Sequence, residues 1–451
     1  MESFEETRRK EEVQVLPDFK KISAFNSLKV GVLFSGGPAA GGANVLAGLF
    51  DALQKMNPKS ELIGFLGGPS GILDEKSQVL SKNEVDKVRN LGGFDLLGTG
   101  RTKIETPEQF EKAKEVITKM KLDGLVIVGG DDSNTNAYFI HEYLLKSGIN
   151  CSVVGVPKTI DGDLKSKEVE ISFGFDTACK VFSSLIGNIC IDAMSSLKYW
   201  HFIKLMGRTA SHVTLECALQ TGVNIALIAE ERLSLKEIVS KIADTVESRS
   251  RIGKNYGVIL IPEGLIEFIP EVAKEIPAEL LQDKDSHGNI KVSQIETEKL
   301  LSKMVIDELK RRGNELKLNP VHHFFGYEGR CSYPSLFDAT YCYNLGINAA
   351  ELIKAKKSGV MATIQNTAKD ITCWKPASVD LKHALIEELR NGLKKQVIAK
   401  ALVDLKGPVF KEFLKTRESN KLKDNYLRPG PIQFFGPAAP AITRTLFLEQ
   451  Q

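Results

Sequence analysis

The sequence predicts an α/β protein made of two doubly wound, Rossmann-like lobes on parallel sheets, with a small helical insertion and an N-terminal extension. Three observations predict it. Short apolar runs alternate with helical stretches of ten or more residues. Each early run closes on a glycine or aspartate motif, at the strand ends where such sheets collect ligands. The same alternation resumes after residue 198.

Residues 1–26 are charged, with an apolar patch at 13–16, and read as an extension lying on the body. The run Leu28-Lys-Val-Gly-Val-Leu-Phe34 suits a buried parallel strand, Ser35 to Gly42 breaks it, and 44–54 reads as a helix. A strand at 61–66, a turn at 67–69 and a helix over 106–120 follow. The strand 125–128 then meets Gly129-Gly130-Asp131-Asp132-Ser133, a helix at 134–146 and a strand at 152–156 that stops at Pro157. With a long helix at 176–196, these form a first lobe over 27–197. Strands at 199–205, 224–229 and 256–261, and helices at 211–219 and 235–248, open a second lobe over 198–364. Within it, 265–318 reads as an insertion containing a turn at 285–288 and an amphipathic helix at 296–312. After a helix at 335–357, residues 365–451 carry few sheet signals and are expected to pack back on the lobes.

Composition narrows the function classes. The chain has 451 residues, is 42% hydrophobic and 26% charged, and carries 60 basic against 57 acidic residues. A net charge of +3 gives no global field for nucleic acid, and basic residues do not alternate with aromatics. No run of about 18 apolar residues suggests a membrane span. The seven cysteines (151, 179, 190, 217, 331, 342 and 373) form no CxxC pair and read as free thiols of a reducing compartment. A cytoplasmic protein is expected.

The chemistry centres on Gly129 to Ser133. Two glycines after an apolar strand allow close backbone approach, and Ser133 or Asn134 is placed to cap the next helix. A helix start favours phosphate, yet the sequence puts two carboxylates there, which makes sense with a divalent cation between them. Metal-assisted phosphoryl transfer is the reading that fits. The histidines 201, 212, 322 and 323 do not have ligand spacing and read as structural, since phosphate chemistry prefers hard oxygen donors.

Eight motifs in order, SGGPAAGGAN, GTGRTKIETPEQF, GGDDSNTNA, PKTIDGDL, KYWHFIKLMGR, PEG, GYEGR and PGPIQFFGP, carry a resemblance that runs from about residue 28 to 445. The chain resembles the 6-phosphofructokinases, and within them the pyrophosphate-dependent branch. That resemblance implies the phosphofructokinase fold and a Mg²⁺-dependent, reversible transfer of phosphate from pyrophosphate to the 1-hydroxyl of fructose 6-phosphate, in glycolysis. By the same resemblance Asp161 is the general base, with Thr159 and Ile160 on its loop. Asp131 is the Mg²⁺ anchor and Asp163 a second candidate. Gly36, Gly37 and Arg101, with Lys103 and Lys158, receive pyrophosphate. Met206, Gly207, Arg208, Glu263, Tyr327, Glu328, Gly329 and Arg330 bind the sugar substrate, with Arg208, Tyr327 and Arg330 on its phosphate and Glu263 accepting its hydroxyls. Lys198 and Tyr199 resemble residues given across a subunit interface, which implies a homodimer with shared sites.

Two positions speak to the donor. ATP-using members carry glycine where this chain has Asp132 and Lys158; the carboxylate occupies and repels where a nucleotide's α-phosphate would lie, and the lysine can offset charge on the leaving phosphate. The first loop departs from the family pattern, with Ala40 in place of proline and Ala43 in place of histidine, so a loop less rigid than the family's is expected. An ATP-dependent phosphofructokinase and a catalytically silent regulatory subunit are the alternatives.

Overall fold

A computed structural model of the protein describes residues 4–269, 292–314, 316, 318–390, 393–430 and 442–451. The 285–288 turn, with most of the insertion before residue 292, and the greater part of the PGPIQFFGP motif lie outside the described residues.

In chain order the first sheet begins with β1 (Lys29–Phe34), β2 (Glu61–Phe65), β3 (Ser77–Val79), β4 (Gly124–Gly129), β5 (Ser152–Thr159) and β6 (Phe173–Gly174). The second sheet holds β7 (Tyr199–Leu205), β8 (Ile225–Ala226), β9 (Tyr256–Pro262) and β10 (Pro320–Phe325), in the order β10-β7-β9-β8, all parallel. The chain then returns. β11 (Val360–Gln365) pairs parallel with β5 and β12 (Lys375–Asp380) pairs antiparallel with β11, so the first sheet runs β12-β11-β5-β4-β1-β2-β3, with β6 beside β5. A hairpin of β13 (Leu385–Arg390) and β14 (Leu393–Ile398) stands apart.

This topology corrects the expected boundary of the second lobe at residue 364. β11 belongs to the first sheet, and helix Leu336–Lys354 before it packs along helix Gly42–Met56 of the first lobe. The physical reason is burial: β11 and that helix are buried along most of their length, and the open edge of β5 is where such a strand hides both faces. The C-terminal region likewise holds three strands despite its weak pattern.

The central strands β1, β4, β5 and β9 are buried along almost their full length, as parallel strands covered on both sides must be. One apolar cluster runs from Val32 and Val128 through Phe182 to Ile203 and Leu260, joining the two sheets into a continuous core. The N-terminal extension does lie on the body: Leu16 is fully buried, and its N–H donates to Asn344 Oδ1 at 2.9 Å.

Candidate active site

The carboxyl ends of β1, β4 and β5 face those of β7, β9 and β10 across a cleft of about 180 Å³. Parallel strands deliver their following loops to one edge, so motifs far apart in the chain converge there. From the first lobe come Gly36, Gly37, Arg101, Asp131 and Asp132, and Lys158, Thr159, Ile160, Asp161 and Asp163. The second lobe contributes Met206, Arg208, Glu263, Tyr327 and Arg330.

The glycine loop is fixed without the family's proline. Gly36 N–H donates to Gly100 O at 2.9 Å, Thr99 Oγ1 donates to Gly36 O at 2.6 Å, and Ser133 Oγ donates to Ser35 Oγ at 2.8 Å. Ala40 and Ala43 are buried in the core behind it. Close approach explains both half-buried glycines: a Cβ on Gly36 would sit 3.1 Å from Lys158 Nζ, and one on Gly37 would sit 2.7 Å from Arg330 Nη2. The loop is therefore pressed against two of the site's cations.

Helix Asp131–Lys146 starts three residues earlier than the sequence pattern suggests, with Gly130 as its N-cap. Both carboxylates thus occupy the first turn, where the unpaired N–H groups favour negative charge. Neither Ser133 nor Asn134 caps; Ser133 turns to Ser35, while Asn134 Nδ2 donates to Gly129 O at 2.7 Å. Lys103 Nζ pairs with Asp132 at 3.2 Å, so Lys103 reaches the site through that carboxylate.

Charge in the cleft is dense and buried. Lys158 is 6% exposed, and burial pulls its ammonium down to about 8 against the opposing pull of Asp161. Burial also raises the Asp131 carboxyl, with Asp132 and Asp163 adding to the effect and Lys400 opposing it. Glu263, whose Oε2 accepts the Gly207 N–H at 2.9 Å, is pushed up to about 7 chiefly by burial. Asp161 N–H donates to Thr159 Oγ1 at 3.1 Å, which ties Asp161 to its own loop. Asp163 is no solvated turn residue: it is 5% exposed, accepts from Thr209 Oγ1 at 2.8 Å, and its carbonyl accepts the Ala401 N–H at 2.7 Å.

Several expected residues stand elsewhere. Glu328 accepts the Gly326 N–H at 2.9 Å, and Gly329 packs against Phe182 and Ala178; both shape the loop that presents Tyr327 and Arg330. Lys198 and Tyr199 lie at the amino end of β7, away from the cleft edge, with Lys198 Nζ 5.1 Å from the Tyr199 ring centre. Of the histidines, 201 and 323 bond to each other at 2.9 Å, 322 to Ser302 Oγ, and 212 to Ala401 O.

Sequence reasoning missed Ser293 and one charged lining residue, Lys400. It follows β14 and pairs with Asp131 Oδ2 at 3.4 Å; burial alone would lower its ammonium, but Asp131 and Asp163 outweigh that and raise it. No motif flags it.

Among the described residues no group of three acidic, histidine or cysteine side chains is poised for a metal. Mg²⁺ does not require one, because it keeps several waters and is commonly held by one or two carboxylates plus substrate phosphates. Asp131 suits that role: the residue lines the cleft, and its Oδ2 is a hard, buried donor that accepts no hydrogen bond and is met by the Lys400 ammonium at 3.4 Å.

No helix of the described residues is long and apolar enough to cross a membrane. A family model described as "Phosphofructokinase" matches residues 29–353. The chain is 47% identical to pyrophosphate–fructose 6-phosphate 1-phosphotransferase subunit beta 2 of Arabidopsis thaliana, over 95% of this chain and 83% of that one. It is also 47% identical to the pyrophosphate–fructose 6-phosphate 1-phosphotransferase of Entamoeba histolytica, over 96% and 88% of the two chains. The crystal structure of a pyrophosphate-dependent phosphofructokinase from Nitrosospira multiformis shares the fold at a TM-score of 0.66 and 18% identity, covering 89% of this chain and 96% of that one. The family model and these relatives agree, and the chain belongs to the phosphofructokinase family.

Proposed function

We propose that this protein reversibly transfers a phosphoryl group from pyrophosphate to the 1-hydroxyl of fructose 6-phosphate, giving fructose 1,6-bisphosphate and phosphate. The observation that carries the reading is the meeting of Asp132 and Lys158 with Asp161 in one cleft. In such a transfer the base needs only to take the sugar hydroxyl's proton as the oxygen attacks, and the rest of catalysis is positioning and charge. Asp161, on the loop bonded through Thr159, receives that proton. Arg208 and Arg330 hold the sugar phosphate as bidentate donors. Gly36, Gly37 and Arg101 receive pyrophosphate, and Lys158 neutralises charge on the leaving phosphate. Asp132, in the first turn of its helix, places bulk and negative charge where a nucleotide would extend.

Asp131 would anchor Mg²⁺, which when bound offsets the phosphate charge. Glu263 accepts sugar hydroxyls. Lys198 and Tyr199, remote from the cleft of their own chain, serve a second copy in a homodimer. Such a dimer would work in the cytoplasm.

The test is direct: purified protein with Mg²⁺ and fructose 6-phosphate, with pyrophosphate or ATP as donor. Turnover with pyrophosphate is expected. Turnover with ATP alone would overturn the donor assignment, and none with either would point to the silent subunit.

A further inference from the structure

Behind the cleft, and outside its lining, the first turns of two helices meet. Asp338, in the first turn of helix Leu336–Lys354, is fully buried. Its Oδ1 accepts the Gly174 N–H at 3.1 Å, and its Oδ2 accepts the Thr177 N–H at 2.9 Å and Thr177 Oγ1 at 2.5 Å. The carboxylate thereby takes up free donors at the start of helix Phe175–Ser196, whose N-cap Gly174 supplies no side chain. Ser335 Oγ donates to Asp176 Oδ2 at 2.5 Å and locks the two turns together.

Gly174 is the link to the chemistry. It closes β6, which pairs with β5 at Lys158↔Phe173 and Thr159↔Gly174. Its φ is +94°, and a Cβ there would lie 2.6 Å from Ala39 Cβ of the glycine loop and 3.4 Å from Ile160 Cγ2. The same turn backs the glycine loop directly, since a Cβ on Gly41 would come within 3.5 Å of Asp338 O. One buried residue thus stands behind both the diphosphate loop and the loop of the base, its backbone toward Gly41 and its carboxylate on Gly174.

We propose that Asp338 is a positioning residue for phosphoryl transfer, holding Gly174, and through it the Lys158–Asp161 loop, in register with the glycine loop. The proposal rests on the phosphotransferase reading for its kinetic consequence. Its structural consequence stands apart from that reading. A misplacement of reacting groups lowers turnover while substrate binding, made by other side chains, is largely kept.

The experiment compares the full-length protein with Asp338→Asn. Asparagine keeps the shape but offers one acceptor oxygen where the carboxylate offers two, so the Gly174 or the Thr177 N–H must face an NH₂ group. Turnover is expected to fall at least about tenfold, with KM for both substrates within about twofold. Hydrogen exchange at the amides of 158–162 is expected to quicken about tenfold, while β7 and β9 keep wild-type rates. Unchanged turnover would overturn the proposal, and so would faster exchange spread evenly over both sheets. If Asp338→Asn does not fold, Thr177→Val removes the hydroxyl that donates to Asp338 and accepts the Ser335 N–H, and leaves the carboxylate in place; it should quicken exchange at 158–162 about threefold, and no change there would overturn the proposal. A wild-type protein inactive with pyrophosphate would count against the proposed function only, because the exchange comparison is read without turnover.

Discussion

Replacing Lys158 with methionine should make the protein more stable and nearly inactive. The lysine is 6% exposed, and its ammonium falls from the ordinary 10.5 to about 8 with burial as the main cause. At about 1.4 kcal/mol per pH unit, holding that charge costs the fold about 3 kcal/mol at pH 7. The folded value lies below the unfolded one. Between pH of about 8 and 10.4 the unfolded chain therefore binds the extra proton, and wild-type stability rises with pH across that window. Methionine has nearly the same reach and carries no charge, so Lys158→Met should gain most of this at pH 7, about 3 to 6 °C in Tm for a chain of this size. The gain should fade by pH of about 10.5. Turnover with pyrophosphate should drop about 10²- to 10³-fold, the usual loss when one fixed donor to a developing charge is removed. Melting curves of the ligand-free protein at pH 7 and 10, with steady-state kinetics at pH 7, test both halves. A variant less stable than wild type at pH 7 would mean that Asp161 and Asp131 need the cation more than burial penalises it, and the reasoning would fail.

Asp161→Ser should lower turnover by about 10³-fold or more with little change in melting temperature; a loss below about tenfold would mean another group takes the proton. Gly37→Ala places a methyl 2.7 Å from Arg330 Nη2, and displacing that guanidinium should raise KM for fructose 6-phosphate about tenfold. An unchanged KM would remove Arg330 from the sugar-phosphate site. Replacing both Asp132 and Lys158 with glycine should admit measurable turnover with ATP, and a donor preference as strict as before would show that other groups exclude the nucleotide.

The site was legible where chemistry coincides with strand ends. Asp131, Lys158, Asp161 and Arg208 each follow an apolar run, so their convergence could be read from the order of motifs. Lys400 could not, because it follows a polar hairpin whose strands carry no apolar period. β10 is similar: Pro-Val-His-His-Phe-Phe is half-buried throughout and has histidines where a core strand would show aliphatics. The fold's main surprise, the return of residues 336–365 to the first lobe, has a comparable cause. A largely apolar helix and strand announce burial but not which sheet will bury them. Asp338 was invisible for another reason, since a carboxylate after Ser335 looks like an ordinary helix start, and only the fold aims it at Gly174.

The detour of the chain between β5 and β11 also bears on how the protein is made. On the ribosome, β5 emerges about 200 residues before the strand that covers its edge, an interval of about 10 to 40 s at common synthesis rates. Throughout that time the apolar strand that leads into the Lys158–Asp161 loop lacks its β11 neighbour and, beyond β4, has only the two-residue pairing with β6, which is the condition under which nascent sheets pair with the wrong partner. The family's chemistry is thus assembled late in synthesis: the first lobe cannot be finished until the second has been made and the chain has come back.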